Sequence, residues 1–437
     1  MKEKLTLQLT VKAYKSLLRV TTGFVEQSAL AFGLGRKESL ALTLAAEEIF
    51  LYLCHISAPE TEVEIRCRPG GWRVIVDLAF EGEGFHMEAF NLTATPAFTD
   101  GKATRETGLL LASRMVNRFK LSYAGTRLVL SLIKDKAYPE SSGQTVPAAV
   151  PVSTFSVRRP AEKEVGVAVE MIKNHCGNLF NPPFTAFPGK ATGMVESGDM
   201  DAAIAMDEAG HIGGILFWSL DRPAMVECYG PYVFHPESHP EMAIFLLDRC
   251  IEEIAHTNAL GLLNRYPGTG TPLGYFERLG QQALFQKRGE SVTVDACYRL
   301  LKEDTGSSVW AHPDLIPFLQ SNYEKLVLPR EIRPVDGHGG ERGGSSVFFV
   351  EQNRNWSWAT LCPIEFGSNA PEALNAHLQL LKKEGSFAIF FEMDLGHAWQ
   401  TDFTPALFTN HFEPGFILPY GGEGDLVVFQ HRLDNPI

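Results

Sequence analysis

The chain has 437 residues, 45% hydrophobic and 21% charged, with a formal net charge of −13. At roughly 150 residues per domain this length makes two to four folding units. The acidic balance excludes a broad basic face for nucleic acid or an anionic membrane.

The opening MKEKLTLQLTVKAYKSLL has no apolar run followed by a small-residue cleavage site, and no window holds the ~18 apolar residues of a spanning helix, which implies a cytoplasmic location. Residues 4–10 alternate as a short strand, and 12–33 read as a helix that ends at Gly33-Leu34-Gly35. Next comes Leu40–His55, LALTLAAEEIFLYLCH, an apolar helix broken only by Glu47 and Glu48. Such a helix should be buried nearly all round, and its carboxylates need a partner or a site. At about 100° per residue, Glu47, Leu51 and His55 share one face. EVEIRCR and WRVIVDLAF form a hairpin through Pro69-Gly70-Gly71. A Gly-bearing loop then leads to the helix GLLLASRMVNRF and a last hairpin, KLSYAGTRLVLSLIK. Helices on one face of a mixed sheet follow from that order.

Residues 138–154 are rich in Pro, Ser and Ala and read as a linker. The next block, 155–335, reads as strand FSVR, helix EKEVGVAVEMIKNHC, strands DAAIAMD and GGILFWSL, strand MVECYGPYVF, helix EMAIFLLDRCIEEIAHT, strand GLLNRY and helix PLGYFERLG. A flexible joint at 336–345 precedes residues 346–437, which repeat a strand-helix-strand order. The seven cysteines are scattered and never form a CxxC pair, so neither a disulfide framework nor a zinc site is indicated.

Three spaced boxes mark residues 1–137: Glu47 and His55 on one helix face; Gly82, Gly84 and Phe85 in FEGEGF after a strand; and Gly108 before Leu109, with a closing Gly125-Thr126. In these positions the block resembles the GHKL (histidine-kinase-like) ATPase fold of the anti-sigma-factor serine kinases. The resemblance implies ATP with magnesium as ligand, Glu47 as catalytic base, and His55, Gly82, Gly84, Phe85, Gly108, Gly125 and Thr126 around the nucleotide. It departs where the chemistry lies. Leu51 stands at the family's magnesium-holding Asn, and magnesium wants oxygen. Phe80 stands at the Asp that reads adenine, and Leu110 at a phosphate-loop glycine.

Residues 155–335 resemble a GNAT acetyltransferase through FSVRRPAEKEVGVAVEMI, AAIAMDEAGHIGGILFW and YGPYVFHPE, and 346–437 resemble an acyltransferase half. The resemblance implies acetyl-CoA at Val233, Phe234, His235 and His239, with Glu227 as a base toward an amine. His239, Met242 and Ile244 stand where the family's pyrophosphate loop has Arg and glycines. His235 and His239 have a helical i, i+4 spacing, but Pro236 and Pro240 argue against a helix and no third metal ligand is evident. Trp356-Ser357-Trp358 reads as strand edge and core, and LFNPPFTAFP (179–188) as the wall of a small-molecule pocket in a sensor reading.

The fold class is therefore α+β: a GHKL-like sandwich, a GNAT-like mixed sheet and a GNAT-like half. Two functions compete. One is a regulatory protein whose enzyme folds bind a sigma-factor-like or antagonist-like protein partner, with homodimerisation implied by the anti-sigma resemblance. The other is a working serine kinase or N-acetyltransferase that uses ATP/Mg or acetyl-CoA.

Overall fold

The computed structural model describes residues 5–437 except 82–84, 86, 95–102, 125–126, 141–145, 178, 223, 269, 273, 286–290, 336–343, 354–355 and 433–437. The chain divides into two compact units, Met1–Tyr138 with Val347–Phe349, and Pro139–Ser346 with Val350–Ile437. Each is α+β, the class that the element order implies. The joint at 336–345 lies mostly outside the described residues.

The first unit runs β1 (Leu7–Lys12), α1 (Leu18–Ala31), α2 (Arg36–Ile56), β2 (Glu62–Pro69), β3 (Arg73–Glu81), α3 (Ala103–Met115), β4 (Arg118–Ala124) and β5 (Arg127–Asp135). Its antiparallel sheet has the order β1-β2-β3-β5-β4. The alternation that makes these strands also covers one face. Val63, Ile65 and Cys67 on β2 and Val74, Val76, Leu78 and Phe80 on β3 are all buried. Gly33, at φ +87, ends α1 where the sequence places the break, while residues 12–17 belong to β1 and a short turn and not to the helix. α2 packs between α1 and α3. It is long and apolar enough to cross a membrane by length and composition, a character the apolar-window reading missed, and half of that window is buried. The expectation of burial all round is corrected: Leu40 is 55% exposed and His55 is exposed.

In the second unit, β6 (Ser156–Arg158), α4 (Glu162–His175), α5 (Pro188–Ser197), β7 (Asp201–Met206), β8 (Ile212–Ser219), β9 (Met225–Val233), α6 (Met242–Ile254), β10 (Gly261–Tyr266), β11 (Glu277–Phe285) and β12 (Ser291–Leu300) build a seven-stranded sheet, ordered β11-β12-β10-β9-β8-β7-β6. β9 and β10 are parallel; the other neighbours are antiparallel. One core gathers Val165, Val169, Ile172 and Val195 of α4 and α5 with Ile204 and Ile215 of the sheet, and a second gathers Met242, Leu246, Cys250 and Ile254 of α6 with Ala203 and Leu216. β8, buried along its whole length, is the strand between the two cores. The stretch read as a linker docks here: Val152 is buried in the α6 core, and its carbonyl accepts from His239 N–H at 2.9 Å. The helix expected over PLGYFERLG is corrected to a turn followed by β11. Gly274 stands at φ +75, which breaks a helix, and Glu277–Phe285 pairs antiparallel with β12.

The chain continues through β13 (Ser307–Ala311), α7 (Ile316–Leu326) and β14 (Arg330–Pro334). Then come β15 (Val347–Asn353), β16 (Trp358–Glu365), α8 (Ala370–Lys383), β17 (Ala388–Asp394), α9 (Ala398–Thr401), α10 (Thr404–Thr409), β18 (Phe412–Leu418) and β19 (Leu426–His431). The last sheet has the order β15-β16-β17-β19-β18. Arg330 ties it to the preceding block. Its guanidinium is fully buried and donates to Asp304 and to Asp425, both at 2.8 Å. Tyr420 O–H donates to Asp304 at 2.6 Å. Arg330→Met leaves two carboxylates buried without their cation and should cost about 3–5 kcal/mol of stability, read as a lower urea midpoint. Arg330→Lys, which lacks the planar fork, should recover only part of it.

Candidate functional site

In the first unit, the place where the resemblance puts adenine is occupied by rings. Phe80 of β3 is fully buried, and its ring lies 5.1 Å from Phe85. Phe85 also meets Tyr52 of α2 edge-on at 5.5 Å and Phe90 at 6.0 Å. Such a cluster gains burial and ring-pair energy from its own members. Phe85 is thus a packing residue, and nothing on the Phe80 side chain could read an amino group. Gly108 does not open a helix: it is inside α3, five residues past its start, so its amide lies in the helical ladder. Its missing side chain makes room for Glu48, since a Cβ there would fall 2.3 Å from Glu48 Oε2. The carboxylate that α2 points at α3 is therefore Glu48, and burial, with help from neighbouring Glu47, pushes its pKa up. Glu47 and Leu51 are half-buried and His55 is exposed. Gly82, Gly84, Gly125 and Thr126 lie outside the described residues. Leu51 offers no oxygen to a metal, and Phe80 offers no acceptor to an adenine amino group.

In the second unit the decisive strand is β9. Its pairing with β10 shifts register between Leu263 and Tyr266, and its pairing with β8 shifts opposite Ile215 and Phe217. The edge exposed by that irregularity is where the resemblance puts pantetheine, and the chain fills it. Asn264, fully buried, donates Nδ2–H to Gly230 O at 2.7 Å and accepts Tyr266 N–H at 2.9 Å. Gly270 N–H donates to Pro231 O at 3.4 Å. Pro231 itself has no N–H to offer. The segment after β10 can approach this closely only because it carries glycine. A Cβ on Gly268 would sit 2.0 Å from Pro231 O, and one on Gly270 2.5 Å from Val233 Cγ2.

Glu227, read as a base, is buried on the same strand between two cations. Its carboxylate accepts from Arg265 Nε at 3.0 Å and from Arg222 at 3.3 Å, while Arg265 also donates to Glu392 of β17 at 2.7 Å. Burial pushes the Glu227 pKa up, but Arg265 and Arg222 outweigh it and hold the group at about 2. A carboxylate that acidic does not take a proton from an ammonium near neutral pH. Sequence reasoning missed Arg265, whose only signal was a charge inside the apolar strand GLLNRY.

The two histidines are turn formers. His235 Nδ1 accepts Glu237 N–H at 3.1 Å, and His239 Nδ1 accepts Glu241 N–H at 3.2 Å. His312 does the same to Asp314 at 3.3 Å, so His-Pro-acid is a recurring turn in this chain. His239 also packs edge-on against Phe155 at 5.5 Å, just before α6. Among the described residues, no group of three or more metal-ligating side chains gathers. Phe234 is buried and Val233 partly so, both in cores. Phe180 and Phe184 of the expected pocket wall are buried as well. Phe180 stacks on Tyr266 at 4.8 Å and meets Trp356 at 5.5 Å.

The last sheet repeats the pattern. Among the described residues β16 and β17 pair from Trp358–Ala388 to Leu361–Phe391 and then part. Buried Phe403 packs near that point, 4.8 Å from Phe366 and 5.6 Å from Phe391. Just before α8, buried Ser346 accepts Gly367 N–H at 2.9 Å, and its amide donates to Asn369 Oδ1 at 2.7 Å. At the β9 edge, a ligand that pairs with the strand would compete with Asn264 and Gly270 for the carbonyls of Gly230 and Pro231.

No protein-family model and no curated protein matches the chain. Among solved structures it is similar to a putative acetyltransferase from Acinetobacter baylyi ADP1, at 12% identity over 34% of this chain and 93% of that one, TM-score 0.29. It is similar to a GNAT superfamily phosphinothricin acetyltransferase from Sinorhizobium meliloti in complex with AcCoA, at 19% identity over 35% and 91%, TM-score 0.27. It is also similar to the RsbU and RsbW domains of a Mycobacterium tuberculosis protein, at 14% identity over 31% and 33%, TM-score 0.22, so it spans about a third of that structure. At these scores any functional reading rests on the geometry above.

The Glu227 geometry fixes a pH signature. A carboxylate whose pKa falls from 4.5 to about 2 on folding stabilises fully above pH 4.5 and loses that contribution as pH drops through 2. The difference in unfolding free energy between the native chain and Glu227→Gln should shrink by roughly 3 kcal/mol from pH 5 to pH 2, measured by urea titration at each pH. A pH-independent difference would show that the ion pairs do not hold the carboxylate.

Proposed function

We propose that this chain is a regulatory protein that keeps an anti-sigma-kinase-like fold and GNAT-like folds as binding scaffolds and acts by protein–protein contact instead of turnover. The observation that carries this is the closure of the β9 edge by Asn264, Gly268 and Gly270, which puts the chain's own backbone where an acyl carrier would hydrogen-bond. The ring cluster of Tyr52, Phe80 and Phe85 and the low pKa of Glu227 support the same reading. A surface for a protein partner, sigma-factor-like or antagonist-like, is available on the packed pair α1 and α2, where Val20 is 51%, Leu30 36% and Leu40 55% exposed.

Calorimetric titration of the whole chain separately with MgATP and with acetyl-CoA, to millimolar ligand, tests the proposal. Neither should give saturable heat, and neither should raise the melting temperature. Micromolar binding of either would contradict the proposal, since ligand at 100 times its dissociation constant adds roughly 2.7 kcal/mol of stability.

A further inference from the structure

In the second unit, a cavity of about 870 Å3 opens between the end of β12, α7 and β14. Of its lining residues only Asp304 and Arg330 were met above, in the ion pairs that tie the last sheet to the preceding block, and its volume lies in the range of small-molecule sites. Its walls are mainly apolar, from Leu300, Tyr323, Val327, Leu328, Pro329 and Ile332. Of the two cations in the lining, Arg330 is neutralised by carboxylates, while exposed Lys302 keeps its charge and is only tethered to a carbonyl. Lys302 Nζ donates to Thr257 O at 2.6 Å, and buried Arg330 is held by Asp304 and Asp425. The carboxylates of Glu303 and Glu324 are exposed, and no hydrogen bond or ion pair among the described residues engages them. Two free carboxylates against the one ammonium of Lys302 leave the edge of this apolar surface net negative.

Val327 gives the cavity a second mark. It caps α7 in the left-handed region at φ +54, with 85% of its surface exposed. A β-branched residue is strained there, and glycine would serve the cap better. Strain of this kind clusters where a chain holds a group for a ligand. Here the group held is an apolar side chain standing in solvent on the cavity lining.

We propose that this cavity binds a small primary amine with an apolar body, the body against Tyr323, Val327 and Leu328 and the ammonium toward Glu303 and Glu324. A ligand carboxylate would meet Glu303 and Glu324 and be disfavoured against an ammonium.

The test titrates the full chain with three probes that share one ring: tryptamine, indole-3-acetate and tryptophol. Tryptamine should bind at least about tenfold more tightly than the anion or the alcohol, and the double substitution Glu303→Gln, Glu324→Gln should remove that preference. Val327→Gly should raise the melting temperature by relieving the backbone while weakening tryptamine severalfold, opposite signs that a purely structural cap would not give. The proposal is overturned by no saturable binding of tryptamine at millimolar concentration, by equal binding of indole-3-acetate, by an unchanged preference in the double variant, or by unchanged tryptamine affinity in Val327→Gly.

Discussion

A strand that parts from its neighbour leaves backbone carbonyls and amides facing a gap, and inside a folded domain each of them must find a partner. On β9 those partners come from the same chain: Asn264 takes the carbonyl of Gly230, and Gly270 takes that of Pro231. A ligand that needs the same edge has to compete with groups tethered a few residues away, at an effective concentration no free molecule reaches. Phe403 beside the β16–β17 gap and the rings around Phe80 have the same consequence by a different means, since they fill volume with side chains already paid for in the core.

Two cations hold the two larger sheets of the second unit in register. Arg265 connects Glu227 of β9 with Glu392 of β17, and Arg330 connects Asp304 with Asp425. Ion pairs this dry gain little net stability over an apolar packing of equal volume, yet they tolerate no partner but the right one. They therefore specify how the blocks meet. Glu227 of β9 supplies half of the first of these contacts.

Most of the element order was legible because hydrophobic period and turn residues agreed. The alternation in β2 and β3, the break at Gly33 and the amphipathic spacing of α6 all report local preferences that packing then reinforces. Local signals failed where tertiary pairing overrode them. Tyr275, Phe276 and Leu279 have a helical spacing, but β12 offers eight residues of ladder, and β11 takes it. α5 went unread although Pro188 at its start and Gly198 at φ +73 after its end are ordinary boundary marks, because its body, PGKATGMVES, has a weak apolar face. The helix carries two adjacent carboxylates, and only packing tells them apart: Glu48 is the one that faces Gly108. The prolines after His235 and His239 argued against a helix, and both histidines do close turns.

Amide hydrogen exchange in the segment after β10, read at Gly270 and Thr271 with and without saturating acetyl-CoA, tests the closure of β9 most directly. The segment should exchange slowly, as part of the cooperative core, and at the same rate in both conditions. Fast exchange in the free chain, or a rate that changes when acetyl-CoA is added, would mean that the segment opens and that the β9 edge is a working ligand site.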